Sequence, residues 1–168
     1  TPLTLNTAGS PTFRLHDGRG AANEVAVGSA MVKPSDFDTD LLSAMQPAVF
    51  IATPALKVSD HFTAPYGAEW ASQLLGSWDP NQRTSLFTYG GNWLATPVAP
   101  EGLALSGLIG HSSNQQILLG SGRQGLHPDD FVFFRPTQSE AVLQQFGDIA
   151  VFEQGRLVAR WPVFPAMA

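Results

Sequence analysis

The chain has 168 residues, a net charge of −5 and no cysteine. At about 150 residues per domain it forms one globular unit, two at most, and without thiols it has no disulfides, thiolate nucleophiles or cysteine zinc sites. Charged residues are 14% of the total against a usual ~25%, with no basic run, so neither nucleic acid nor an anionic membrane is an expected partner.

Glycine (16) and proline (13) interrupt the chain often enough to favour a turn-rich, mainly β fold. In chain order, Leu3 to Asn6 and Thr12 to His16 read as short strands around the turn Ala8-Gly9-Ser10-Pro11, followed by the loop Asp17 to Gly20. Val25 to Val32 is the next apolar segment. Ser35 to Gln46 has the pattern of a short helix: Asp36, Asp38 and Asp40 suit its first turn, Phe37, Leu41 and Met45 share a face, and Pro47 stops it. Ala48 to Ala52 reads as a buried strand, Tyr66, Trp70 and Leu74 have helical spacing, and Ser85 to Tyr89 returns to strand.

After Gly90-Gly91-Asn92-Trp93-Leu94 the pattern is β throughout, with candidate strands at Leu103 to Ile109, Gln115 to Leu119 and Phe131 to Arg135. Asp148 to Glu153 and Arg156 to Trp161 flank Gln154-Gly155, the spacing of a tight hairpin. The alternation of Ile149, Val151, Leu157, Ala159 and Trp161 predicts one hairpin face packed on the core, with Trp161 buried. The first residues lack the basic and apolar regions of a signal peptide, and no stretch reaches the ~20 apolar residues of a membrane span. A soluble, cytoplasmic protein is the expectation.

Chemistry is thinly signalled. His16, His61, His111 and His127 have no metal-ligand spacing, and the run from Asp36 to Asp40 lacks the glycine and closing glutamate of a calcium loop. Ser10 and Ser113 lie outside any GxSxG elbow. Gly9-Ser10-Pro11-Thr12 either lets backbone N–H groups and hydroxyls approach an anion or is a plain β-turn. Asn114, Gln115, Gln138 and Glu140 put amides and a carboxylate beside apolar strands, either as a site or as an exposed sheet edge.

The order of several segments carries more. Gly9-Ser10-Pro11-Thr12, Tyr89 to Ala95, Ser113-Asn114-Gln115-Gln116, Arg135 to Glu140 and Arg160-Trp161-Pro162-Val163 together resemble the C-terminal part of the D-threonine aldolase and D-serine dehydratase family. These are pyridoxal-phosphate enzymes of the alanine-racemase type, with a (β/α)8 barrel followed by a mainly β domain. The resemblance covers most of the chain and is strongest from Arg83 onward. It implies a distorted β-barrel or sandwich with one or two short helices, in which residues 1–16 form the last strand of a barrel absent from this chain and residues 17–168 the C-terminal domain.

It also implies a function: the C-terminal domain of a lyase or deaminase acting on D-β-hydroxy amino acids, sharing pyridoxal phosphate with the N-terminal barrel of the same enzyme, commonly a homodimer. The family's phosphate-cup stretch Gly-Ser-Thr-Pro-Thr falls on Gly9, Ser10 and Thr12, one residue shorter. Its Ser-Glu-Glu-His-Gly segment falls on Ser113 to Gln116, where amides replace the acid and histidine. Its metal-binding pair falls on Gln138 and Glu140, expected to share one side of an extended segment and to hold Mg²⁺, Mn²⁺ or Zn²⁺ weakly. Lys33 and Lys57 match no cofactor-lysine motif, so the catalytic lysine is expected outside this chain and the chain alone inactive. The alternative is an autonomous, non-catalytic β-barrel binding module presenting exposed Trp and Phe.

Overall fold

The structure, a computed structural model, describes residues 3–63, 66, 67, 69–82, 84–91, 93–107 and 112–163. It is mainly β. The strands are β1 (Asn6–Thr7), β2 (Glu24–Val25), β3 (Ile51–Ser59), β4 (Thr84–Tyr89), β5 (Ala95–Ala99), β6 (Ala104–Leu105), β7 (Gln115–Gly120), β8 (Phe131–Pro136), β9 (Ile149–Glu153) and β10 (Arg156–Trp161). Among the described residues the α-helices are α1 (Glu69–Trp78) and α2 (Ser139–Leu143). The chain divides into two compact units, Phe50–Arg135 and the flanking Thr1–Val49 with Pro136–Ala168.

The central unit is a six-stranded antiparallel sheet in the order β5-β8-β3-β4-β7-β6, nearly closed into a barrel as β5 and β6 approach each other. The nine-residue β3 serves two neighbours: Ile51–Pro54 pair with β8, and Ala55–Ser59 with β4, with a register shift between Ala55 and Lys57. Pro54 has no N–H to give the ladder. Ala55 resumes it, donating to Asp130 O and accepting from Asp129 N–H, both at 2.8 Å. Along β8, Val132 and Phe134 are buried while Phe131 and Phe133 are exposed, the period-two pattern of a sheet with one covered face. Leu86, Leu118 and Leu119 extend that core, and Trp93 meets Phe134 edge to face at 6.0 Å.

The flanking unit is built from shorter pieces. β1 runs parallel to β2, and Asn23 extends that pairing with its side chain: its Oδ1 accepts from Leu5 N–H at 2.8 Å and its Nδ2 donates to Leu3 O at 2.9 Å. The strand expected over Thr12 to His16 is instead a 3₁₀ turn, Phe13–Leu15, because Gly9 O captures the N–H groups of both Thr12 and Phe13 at 3.0 Å. The helix expected from Ser35 to Gln46 is two 3₁₀ turns, Ser35–Phe37 and Asp40–Leu42, separated by an extended Thr39. Ala30, Leu42 and Val142 are buried.

β9 and β10 form the expected antiparallel hairpin. Gln154 and Gly155 both have positive φ, 51° and 77°, as a type I′ turn requires. The packing expectation fails here. Trp161 is 60% exposed, and Phe152, Leu157 and Val158 are exposed as well. Leu157 pairs with Phe152 and Ala159 with Val151, so a bulge at Val158 breaks the alternation on which the buried face was drawn. Of the strand expected at Leu103 to Ile109, only Ala104–Leu105 is strand, and 108–111 lie outside the described residues. No helix among the described residues is long and apolar enough to cross a membrane.

Candidate functional site

In the flanking unit, the turn after β1 brings Ser10 onto the segment from Gly28 to Ala30. Ser10 Oγ accepts from Gly28 N–H at 3.0 Å and from Ala30 N–H at 3.2 Å. A hydroxyl has two lone pairs and one proton. With both lone pairs occupied, the Ser10 O–H is left as a donor, the polarity an anion requires. Thr12 is exposed on the same turn, but its N–H, like that of Phe13, is committed to Gly9 O.

Glu140 meets the same segment from α2. Its carboxylate accepts from the hydroxyls of Ser29, which lies between the two residues that donate to Ser10, and of Ser139 at 3.2 Å. The Ser29 bond, then the backbone N–H at Glu140, hold this carboxyl below the usual carboxylate range. Ser10 and Glu140, 130 positions apart in the chain, thus converge on 28–30.

Gln138 and Glu140 do not form the extended pair that was expected. Gln138 is the extended residue preceding α2, and Glu140 lies in the helix's first turn, where residues two apart no longer share a side. Gln138 is exposed. No group of three His, Asp or Glu side chains among the described residues is placed to hold a metal ion. The extended two-residue geometry expected of an ion site is thus not the one Gln138 and Glu140 adopt. A helix of five residues is too short to announce itself by periodicity; Ser139 and Val142 are its buried residues among those whose burial is described.

For Lys33, which sequence reasoning weighed only as a cofactor lysine, the structure shows a structural role. It is buried, with φ at 44°, and its Nζ donates to Met45 O at 2.7 Å and lies 3.7 Å from Asp38 Oδ1. A left-handed lysine is uncommon and costly. Its ammonium ties the end of one 3₁₀ turn to the loop beyond the next two. Lys57, in the other unit, is exposed and lies over the Phe87 ring at 5.9 Å.

Within the sheet unit, two more segments of the family-like order meet. Gly90 N–H donates to Asn114 O, and a Cβ on Gly90 would stand 2.5 Å from Gln116 Cβ. Gly91, at φ 149°, would place a Cβ 2.7 Å from Ser113 O. The Gly-Gly pair is thus required by the close passage of backbone against 113–116. A separate cavity of about 290 Å³ opens where β3 ends and β4 begins, lined by Asp60, Thr84, Leu86, Leu103, Gln124 and His127 among others. Thr84 Oγ1 is buried with no hydrogen-bond partner among the described residues.

No protein-family model and no curated protein matches this sequence.

Proposed function

We propose that this chain is the C-terminal domain of a pyridoxal-phosphate-dependent lyase or deaminase acting on D-β-hydroxy amino acids, and that the Gly9-Ser10 turn contributes one wall of the cofactor's phosphate site. Ser10 carries this reading: its hydroxyl is oriented by two backbone N–H groups so that only its proton is left to give, which suits a phosphate oxygen. Gly9 and Thr12 flank it on the same turn. Pyridoxal phosphate, when bound, supplies an electron sink for bond cleavage at the amino-acid Cα. The chain's own part is binding and orientation. Lys33, whose ammonium is committed to Met45 O and Asp38, and Lys57, exposed over Phe87, support a cofactor lysine supplied from outside this chain.

The test is titration of the chain with inorganic phosphate and with pyridoxal phosphate, read by amide chemical shifts, then borohydride reduction and peptide mapping. The expected result is perturbation centred on Gly9 and Ser10, lost in Ser10→Ala, with no stoichiometric label on Lys33 or Lys57. Specific labelling of either lysine, or shifts centred elsewhere, overturns the assignment.

A second reading, a non-catalytic β-barrel binding module, is favoured by the cavity of about 290 Å³ where β3 ends and β4 begins. Screening small polar compounds by thermal shift and amide chemical shifts separates the two: a ligand that perturbs the cavity lining and leaves Gly9 and Ser10 unperturbed favours the module.

A further inference from the structure

We infer that the outer face of α1 is an interface between two copies of this chain, packed antiparallel about a two-fold axis that passes beside Leu74. Trp70, Leu74 and Trp78 recur every four residues, and α1 presents them to solvent rather than to a core: Trp70 is 69% exposed, Leu74 62% and Trp78 85%, with Tyr66, in the turn before the helix, exposed as well. A contiguous apolar stripe of this size on a water-facing helix marks a surface that another surface covers.

Four features select a second copy as the occupant. Trp70, Leu74 and Trp78 are palindromic, so antiparallel pairing centred on Leu74 sets Trp70 against Trp78 of the partner subunit and Leu74 against its own counterpart, as an isologous contact requires. The stripe is an i, i+4 ridge, and two such ridges interdigitate at the commonest helix crossing, roughly −50°. The sequence from Glu69 to Trp78 has one ionisable residue, Glu69, whose carboxylate is turned back to Gly67 N–H at 3.0 Å. Self-pairing therefore meets no row of like charges, and a charged partner finds nothing to recognise. Finally, with aromatic side chains covering ~150–250 Å² each, Trp70 and Trp78 with Leu74 offer roughly 500 Å² per copy, or about 1,000 Å² in all, the size a specific interface has to reach. This inference is independent of the phosphate-site assignment, which involves the other unit.

Sedimentation velocity on the 168-residue chain tests it, with circular dichroism as the fold control. The wild type is expected to dimerise reversibly. Leu74→Glu brings two carboxylates together at the axis and is expected to raise the dimer dissociation constant at least ~10-fold. Trp70→Lys/Trp78→Glu pairs opposite charges only in the antiparallel arrangement and is expected to retain dimer, whereas Trp70→Lys/Trp78→Lys is expected to be monomeric. A wild type that is monomeric at every concentration, a dimer indifferent to Leu74→Glu, or a charge-paired variant as monomeric as the all-lysine one overturns the inference. So does a monomer whose tryptophan emission shifts blue on phosphatidylcholine vesicles, because that outcome assigns the face to a membrane surface.

Discussion

In the sheet unit buried residues recur at the period of a strand: Ile51, Thr53 and Ala55 on β3, Val132 and Phe134 on β8. In the flanking unit three polar side chains hold short, irregular backbone together: Ser10 across to Gly28 and Ala30, Asn23 back to Leu3 and Leu5, and Lys33 out to Met45. The difference follows from where backbone hydrogen bonds go. A six-residue strand satisfies its N–H and C=O groups in a ladder, leaving side chains to pack. Two-residue strands and single 3₁₀ turns leave donors and acceptors over, and side chains must meet them. The sheet unit should therefore fail when apolar volume is removed, and the flanking unit when a single polar bond is removed.

The largest expected effect tests the first half. Phe134 is buried and braces Trp93, so Phe134→Ala should cost ~3–5 kcal/mol, a large share of the ~5–15 kcal/mol that holds a domain folded. Denaturant melting measures it; a loss below ~1 kcal/mol breaks the picture of a packed sheet core. The second half is tested by Lys33→Met, which keeps the stem and removes the ammonium. Met45 O then loses its donor, and the expected cost is ~1–3 kcal/mol. Proteolysis should report the loss as faster cleavage between Pro34 and Pro47. A neutral result shows that apolar contacts, not the ammonium, fix the 3₁₀ turns.

What was legible in the sequence divides along the same line. The strands at β4, β7 and β8 and the hairpin turn at Gln154-Gly155 were readable because alternation and turn chemistry are local. α1 was readable because Tyr66, Trp70 and Leu74 keep helical spacing, although that pattern marks an exposed face. The helix drawn from Ser35 to Gln46 failed at Thr39, whose extended conformation splits it into two turns. Glu140 was singled out by sequence, but its partner Ser29 was not, because a hydroxyl 111 residues away leaves no local signature. Lys33 was named only as a lysine outside any cofactor motif; its burial was not legible, because it depends on Asp38 and Met45 being folded back onto it.

Glu140 gives a smaller, pH-dependent contrast. Because its folded pKa is depressed, the carboxylate stabilises the fold above the ordinary carboxylate range, and that contribution fades as pH falls through the folded value. Glu140→Gln should thus lower stability by under ~1 kcal/mol at neutral pH, given the solvent exposure of the site. The difference between variant and wild type should vanish in strong acid. Thermal melts across pH check the sign, and a gap that widens on acidification refutes it.

The smallest effect belongs to Trp161, and it separates the hairpin from both modes of stabilisation. Large aromatics at strand ends are ordinarily read as core, and truncating a buried one costs ~3–5 kcal/mol. Here the ring is 60% exposed, its cross-strand partner Ile149 is only half-buried, and the bulge at Val158 turns β10 away from simple alternation. Trp161→Ala trims a mostly exposed ring from one cross-strand pair, so the expected change is within ~0.5 kcal/mol, the range of ordinary surface substitutions. At ~2–4 °C per kcal/mol for a chain of this size, the melting midpoint should move by no more than about two degrees. Tryptophan emission should also be lost chiefly from the red, water-exposed side of the spectrum. A shift on the scale of Phe134→Ala would mean that the hairpin face is covered in solution, and would place Trp161 with the packed sheet rather than with the polar-pinned unit to which its backbone belongs.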